Sequence, residues 1–98
     1  MTIYMEKQTN ELLIAPAGKL DTVTAPELEK AVKENLDGIT SLTFDFKDLE
    51  YISSAGLRVL LSAQKAMNAK GKMTVCHVNE VVAEIFEVTG FSDILTIE

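Results

Sequence analysis

The stretch Tyr51-Ile52-Ser53-Ser54-Ala55-Gly56-Leu57 is predicted to join a strand to a helix, and the other elements can be assigned on either side of it. Two small hydroxyl residues and a glycine occupy the turn, where the first backbone N–H groups of a helix have no helical acceptor. In the structural interpretation, Ser53 or Ser54 caps the helix and Gly56 lets its first turn pack closely against the strands. In the functional interpretation, a serine is presented at the carboxyl end of a strand, where sites in α/β sheets tend to lie. A phosphate there would meet free N–H groups and the positive end of the helix dipole.

Upstream of this turn, the sequence predicts a hairpin, a helix and a strand. Alternating and apolar runs predict strands over Ile3 to Lys7 and Glu11 to Ala17, with turn residues between them. A helix follows, in which we expect Thr24 to be the cap, Glu27 its capping-box partner and Pro26 a first-turn residue. The alternating residues from Ser41 to Phe46 predict the next strand.

Downstream, two further helices alternate with strands. Apolar residues recur at helical spacing from Leu57 to Met67, and a short apolar strand is predicted from Met73 to Val78. Asn79 is predicted to cap the third helix, and Ile94 to Ile97 to form a last strand. A glycine stands near the end of each helix, where we expect the left-handed conformation that ends helices: Gly38, Gly71 and Gly90.

The predicted order is therefore β-β-α-β-α-β-α-β within a single domain that spans residues 1–98. Strands that alternate with helices pair in parallel through right-handed crossovers, whereas the opening hairpin is antiparallel. The fold class is α/β, with a mixed sheet of about five strands packed with helices.

Composition excludes several functions. The 98-residue chain carries a formal net charge of -6, which disfavours direct binding to nucleic acid or to an anionic membrane. A single cysteine, no recognisable signal peptide and no apolar run of about 20 residues lead us to expect a cytoplasmic protein.

The sequence offers little for catalysis or metal binding. Motifs for nucleotide phosphates, paired cysteines and zinc peptidases are absent. His77 is the only histidine, and from sequence we see no acidic or cysteine cluster that would complete a metal site around it. Cys76 reads as a buried strand residue. We therefore predict no catalytic residue, no metal and no cofactor.

Several stretches together resemble one family. Residues 49–60, Leu-Glu-Tyr-Ile-Ser-Ser-Ala-Gly-Leu-Arg-Val-Leu, are similar to the signature of the STAS domain family, the anti-sigma factor antagonists. Residues 17–21 leading into 24–26 resemble a second conserved stretch of that family, and residues 71–76 and 86–91 resemble its C-terminal half. The resemblance covers nearly the whole chain in the same order, and it implies a STAS-like fold.

The resemblance also implies a mechanism. In this family, an unphosphorylated antagonist binds an anti-sigma factor, often itself a serine kinase, and thereby releases a sigma factor. Phosphorylation of a serine or threonine in the signature reverses binding, and a serine phosphatase restores it. Ser54 falls on the acceptor position, followed by Ala55 and Gly56 in register. An aspartate commonly precedes the acceptor, but Ser53 stands there and becomes a competing acceptor.

The resemblance places the partner surface around the same turn. Asp21 matches a family aspartate in the loop before the first helix, and it is equally interpretable as a turn residue that bonds its own backbone. The predicted partner-binding residues are Asp21, Thr22, Ser53, Ser54, Ala55, Gly56, Leu57 and Arg58. Apolar surface around Ala55, Leu57 and Val59 is a candidate docking patch.

Two alternative functions stay open from the sequence. The first is a STAS-like, non-catalytic subunit of a transporter or stress-sensing assembly, in which the serine need not be phosphorylated. The second is an enzyme or phosphocarrier with Ser54 as nucleophile, for which His77 is the sole candidate base.

Overall fold

A five-stranded mixed sheet and three helices make up the fold. The computed structural model describes residues 1–98. Strand residues alternate between buried and partly exposed positions, so the helices cover one face of the sheet and the other face is open. None of the helices combines the length and the apolar character that crossing a bilayer needs. The elements are β1 (Thr2–Gln8), β2 (Glu11–Leu20), α1 (Ala25–Asn35), β3 (Ser41–Asp45), β4 (Leu49–Ile52), α2 (Ser54–Asn68), β5 (Lys72–Cys76), α3 (Glu80–Thr89) and a 3-10 turn (Phe91–Asp93).

β2 is the strand that holds the sheet together. It pairs antiparallel with β1, and its first half pairs in parallel with β3. Its last residues, Gly18 to Leu20, pair in parallel with β4, and β5 lies beside β3. The predicted mixed sheet, with an antiparallel opening hairpin and parallel crossovers, is confirmed.

One of the five strands differs from the sequence prediction. The segment Ile94 to Ile97 is not a strand: it follows the 3-10 turn, and only Ile97 forms a bridge, with Val75. The fifth strand of the sheet is instead β4. Its residues do not alternate between buried and exposed, because Leu49 and Ile52 at its ends are buried and the two residues between them are exposed. Its register against β2 shifts between Gly18 and Lys19, and this irregularity accounts for the lost alternation.

The core is a single apolar cluster of 23 residues. Three rings form its centre: Phe44 and Phe46 lie 5.8 Å apart between centroids, and Phe46 and Phe86 lie 6.4 Å apart. Gln64 on α2 is the one buried polar side chain, and its Nε2 donates to Asn68 Oδ1 at 2.8 Å.

The glycines near the helix ends have three different roles. Gly90 adopts φ 82° at the C-cap of α3, as predicted. Gly38 adopts φ 78° but lies two residues after Leu36, the C-cap of α1. Gly71 was predicted wrongly, since its φ is not positive. A Cβ at Gly71 would lie 1.9 Å from the carbonyl oxygen of Thr40, so this position needs glycine for close backbone approach.

Candidate functional site

Two loops meet at the carboxyl ends of β2 and β4. Leu20 and Ile52 are register partners in these strands, and the N–H of Ser53 donates to the carbonyl oxygen of Leu20 at 2.8 Å. Asp21, which follows Leu20, therefore lies beside the Ser53-Ser54 turn. The two segments that the sequence proposed for a partner surface are brought together by this pairing.

Asp21 organises the first of these loops. Its Oδ1 accepts hydrogen bonds from the N–H groups of Val23 and Thr24, both at 3.0 Å. Thr24 Oγ1 accepts from the N–H of Asp21 at 2.9 Å and lies 2.7 Å from the carbonyl oxygen of Lys19, to which it donates. The hydrogen bond from the Thr24 N–H, with that from the Val23 N–H, outweighs desolvation and lowers the pKa of the Asp21 carboxyl below its ordinary value.

This arrangement corrects the predicted cap of α1. Thr24 stands at the N-cap position, but its backbone is already helical and its side chain makes no capping hydrogen bond to the helix. No hydrogen bond joins Glu27 to the N–H of Thr24, so the capping box is not formed. The sequence interpretation of Asp21 as a turn residue is confirmed, and this role leaves Thr22 and Val23 at the exposed tip of the loop.

The second loop is the start of α2. Ser53 is its N-cap in extended conformation, and Ser54 is its first helical residue. The first helical hydrogen bond runs from the N–H of Leu57 to the carbonyl oxygen of Ser53 at 2.9 Å. The N–H groups of the three residues between them have no helical acceptor, so they point an array of donors along the helix axis.

The two serines of this turn differ in access. The Oγ of Ser53 is buried and has no hydrogen-bond partner, whereas Ser54 is exposed. In the folded domain the side chain of Ser54 is open to solvent, and the hydroxyl of Ser53 is not. The expectation that a serine side chain caps α2 is not met. Ser53 occupies the N-cap position, but its side chain makes no capping hydrogen bond.

Gly56 and Leu57 belong to the interior. A Cβ at Gly56 would lie 2.7 Å from Leu20 Cγ and 2.8 Å from Ile52 Cγ1, which confirms that Gly56 permits close packing of the helix start on β2 and β4. Leu57 and Val59 are core residues. They form no exposed docking patch, and of that apolar set only Ala55 is partly exposed.

An open groove separates the starts of α1 and α2. One wall carries Thr22 and Pro26, and the other carries Ala55 and Arg58. Val23 is 82% exposed at the tip of the Asp21 loop and is not among the partner-binding residues predicted from the sequence. The available signal was an apolar residue within the polar run Asp21-Thr22-Val23-Thr24, since such turns are otherwise polar.

His77 lies in a different place from Ser54. Its Nδ1 lies 2.9 Å from Asp45 Oδ1, and it makes no hydrogen bond with Ser54. The sequence inference that His77 lacks an acidic neighbour was wrong, because β3 and β5 pair Asp45 with Cys76 in register. The hypothesis of an enzyme with Ser54 as nucleophile therefore has no support from His77, which contacts Asp45 and not Ser54.

The structure is thus a small α/β domain with an exposed serine at the start of a helix, beside an aspartate-organised loop. The chain belongs to the STAS domain family, whose model matches residues 2–98. It is similar to BtrV of Bordetella bronchiseptica, with 33% identity over 99% of this chain and 85% of the relative. It is 30% identical to the anti-sigma-B factor antagonist of Listeria monocytogenes over 95% of this chain and 83% of that protein.

Solved structures have the same fold. An anti-sigma factor antagonist from Mycobacterium paratuberculosis matches with a TM-score of 0.88 at 23% identity, covering 98% of this chain and 83% of the other. Phosphorylated SpoIIAA from Bacillus matches with a TM-score of 0.77 at 15% identity, covering 99% and 91%. The predicted STAS-like fold is thereby confirmed.

Proposed function

We propose that this chain is an anti-sigma factor antagonist that phosphorylation of Ser54 switches off. Its unphosphorylated form binds an anti-sigma factor that is also a serine kinase, and this binding releases a sigma factor. A serine phosphatase restores the active form. The chain acts in the cytoplasm by binding, without a cofactor and without catalysing a reaction. The name of the Listeria relative supports the antagonist function.

One observation carries the choice of Ser54. It is exposed on the first turn of α2, while the hydroxyl of its neighbour Ser53 is buried. A kinase must place the acceptor hydroxyl in line with the phosphate of ATP. The acceptor side chain must therefore be exposed on the surface of the substrate, so that it can enter the kinase active site. Ser54 meets this requirement, and the alanine and glycine that follow it match the family signature.

The free domain tolerates a phosphate at Ser54. A phosphoserine carries about -1.5 to -2 charges at neutral pH. The N–H groups at the start of α2 and the positive end of its dipole stabilise this charge. Arg58 is exposed four residues further on, on the same face of the helix, and adds a cation. We therefore expect the fold to stay the same on phosphorylation.

The bound state does not tolerate it. The surface formed by Thr22, Val23, Ser54, Ala55 and Arg58 contacts the partner in this proposal. A phosphate inside that contact loses its water and meets a partner surface shaped for a hydroxyl. An uncompensated buried charge costs about 3–5 kcal/mol. Affinity then falls by on the order of 10²–10³-fold, enough to dissociate a micromolar complex.

Phosphosite mapping tests the site. The domain is incubated with ATP and the anti-sigma kinase encoded nearest to its gene, and the modified residue is located by mass spectrometry. We expect one phosphate on Ser54 in the wild type and in Ser53→Ala, and none in Ser54→Ala. Phosphate on Ser53 alone, or none with an active kinase, would overturn the switch; the second result would favour the subunit of a transporter or stress-sensing assembly.

Binding measurements test the switch itself. Calorimetric titration of the anti-sigma factor with wild type, Ser54→Ala and phosphorylated wild type should give two tight complexes and one weakened at least about 100-fold. Ser62→Asp, on an exposed position of α2 two turns further on, is the matched control for added charge and should bind as the wild type does. Equal affinity of the phosphorylated and unphosphorylated forms would refute the proposal.

A further inference from the structure

Three side chains with metal-ligating atoms meet on the open face of the sheet, away from the Ser54 turn. They are Asp45 at the end of β3, Cys76 at the end of β5 and His77 directly after it. One ligating atom from each lies within 4.8 Å of the others. We call this group the Asp45–Cys76–His77 cluster. It has no part in the function proposed above.

The parallel register and one unusual backbone conformation create the cluster. Asp45 and Cys76 are partners in the β3–β5 pair, so their side chains share the open face. In a regular strand, His77 would point to the opposite face from Cys76. Instead His77 adopts φ 58°, which breaks the alternation and puts its Nδ1 2.9 Å from Asp45 Oδ1.

We propose that the Asp45–Cys76–His77 cluster binds Zn²⁺. Thiolate sulfur, imidazole nitrogen and carboxylate oxygen are the three donor types that zinc takes in proteins. Zinc bonds of about 2.0–2.3 Å in a tetrahedron put ligand atoms roughly 3.4–3.7 Å apart. The ligand atoms, now within 4.8 Å of one another, must approach by up to about 1 Å to reach this spacing. Three protein ligands leave the fourth position to water.

The charges around the cluster act in both directions: the carboxylates of Asp45 and Glu98 attract a cation, whereas Lys47 beside Asp45 repels it. Burial, together with the negative charges of Asp45 and Glu98, raises the pKa of the Cys76 thiol. Burial alone would raise the pKa of the Asp45 carboxyl, but hydrogen bonds from His77 and the Lys47 N–H, and nearby positive charge, lower it. On binding, the Cys76 thiol releases its proton to water and the thiolate sulfur bonds to zinc.

The two carboxylate oxygens of Asp45 can have different partners. Its Oδ1 accepts from the N–H of Lys47 at 3.0 Å and contacts His77 Nδ1. Both contacts use Oδ1, which leaves Oδ2 for a metal. His77 Nδ1 can bind the ion only after its hydrogen bond to Oδ1 is broken, because a ring nitrogen that holds a proton has no lone pair for a metal. Next to the cluster, Asn79 Nδ2 donates to the carbonyl oxygen of Leu49 at 2.8 Å and holds the loop between β5 and α3 in place. The bound ion would join β3 to that loop.

Cobalt provides a direct readout of the site. Co²⁺ alone is titrated into the metal-free, reduced chain, and absorption is recorded; Zn²⁺ is then added to displace it. We expect one ion per chain, a thiolate-to-cobalt charge-transfer band, and bleaching of that band by one equivalent of Zn²⁺. A rise in the thermal midpoint with Zn²⁺ should accompany binding, because the ion binds only the folded state.

Matched variants identify the ligands. Cys76→Ser should abolish the charge-transfer band. Asp45→Asn and His77→Asn should each weaken Zn²⁺ binding by at least about 10–100-fold, the loss typical even of groups that only support a ligand. Asparagine suits position 77 because it tolerates positive φ. Asp48→Asn, on the exposed turn after β3, is the control and should bind Zn²⁺ as the wild type does.

Two outcomes would overturn the zinc site. The first is binding weaker than about 100 μM with no charge-transfer band, a level that any exposed carboxylate group reaches. The second is binding that Cys76→Ser and His77→Asn leave unchanged, which would place the ion elsewhere. Circular dichroism of each variant at 25 °C establishes that the fold is retained, so a lost band reports a lost ligand.

Discussion

The N–H of Ser53 donates a 2.8 Å hydrogen bond to the carbonyl oxygen of Leu20, and this bond joins the two loops of the candidate site. Leu20 also packs against the space above Gly56, where a Cβ would come within 2.7 Å of its Cγ. The strand end that leads into the Asp21 loop is therefore joined directly to the start of α2. A change at this contact alters the surface that presents Ser54.

Ser53→Ala tests the unpaired hydroxyl. A serine that caps a helix through its side chain costs about 0.5–2 kcal/mol when it is replaced by alanine. The Ser53 hydroxyl is buried without a partner, and such a group destabilises the fold. We expect the free energy of unfolding in urea to stay the same or to rise by up to about 1 kcal/mol. A loss of 1 kcal/mol or more would mean that Ser53 caps α2 in solution.

Gly56→Ala tests the close packing of the helix start. The added methyl group overlaps Leu20 and Ile52, neither of which can retreat within the core. Overpacking of this kind costs about 1–3 kcal/mol, and we expect a loss in that range by urea unfolding. Ser54→Ala, exposed two residues earlier, is the control and should change stability by less than about 0.5 kcal/mol. Equal effects of the two changes would contradict the packing role of Gly56.

Asp21→Asn tests the loop and has a defined pH dependence. The hydrogen bonds that lower the pKa of Asp21 in the folded state make its ionised form stabilising. This contribution is complete above the unfolded pKa of about 3.9 and is lost as the pH falls through the lower folded value. The difference in unfolding free energy between wild type and Asp21→Asn should thus be larger at about pH 6 than at about pH 3.

Asp48→Asn provides the comparison for that measurement. Asp48 is exposed, and its carboxylate accepts no hydrogen bond. Its replacement should change the free energy of unfolding by less than about 0.5 kcal/mol. If Asp21→Asn behaved in the same way, the Asp21–Thr24 hydrogen bonds would not form in solution.

Val23→Asp tests the partner surface. Val23 is 82% exposed on the Asp21 loop, next to Thr22 of the groove between α1 and α2, whereas Val88 is 79% exposed on α3. An added charge at Val23 should weaken binding of the anti-sigma factor by about tenfold or more, and Val88→Asp should leave it unchanged. Calorimetric titration measures both. Weakening by Val88→Asp alone would place the partner on α3.

Local sequence signals predicted the elements that depend on near neighbours. Asn79 accepts from the N–H of Val82 at 2.8 Å as the cap of α3, and Gly90 ends that helix in left-handed conformation. Both follow from residue type and spacing within a few positions. The Ser53-Ser54-Ala55-Gly56 turn was recognised in the same way, so the candidate site was placed correctly between a strand and a helix.

Features that depend on distant residues were missed. β4 shows no alternation because Glu50 is an extra residue in its pairing with β2, where Gly18 faces Leu49 and Lys19 faces Tyr51. The contact between His77 and Asp45 spans 32 positions and requires both the β3–β5 register and the positive φ of His77. The spacing of residues in the sequence reveals neither the β3–β5 register nor the φ of His77, because both depend on how distant segments pair.

The glycines Gly38 and Gly71 provide a further test, because the sequence assigned them one role and the structure gives them two. Gly38 has positive φ and open space around the position of a Cβ. Asparagine tolerates that conformation, so Gly38→Asn should cost less than about 1 kcal/mol. A Cβ on Gly71 would collide with the Thr40 carbonyl, whose oxygen also accepts from the N–H of Lys72 at 3.0 Å. Gly71→Asn must displace this backbone contact beside β3 and β5, and should cost about 3 kcal/mol or leave the chain unfolded. Urea unfolding of the two variants measures the difference, and equal tolerance at both positions would show that the approach of Gly71 to Thr40 is looser in solution.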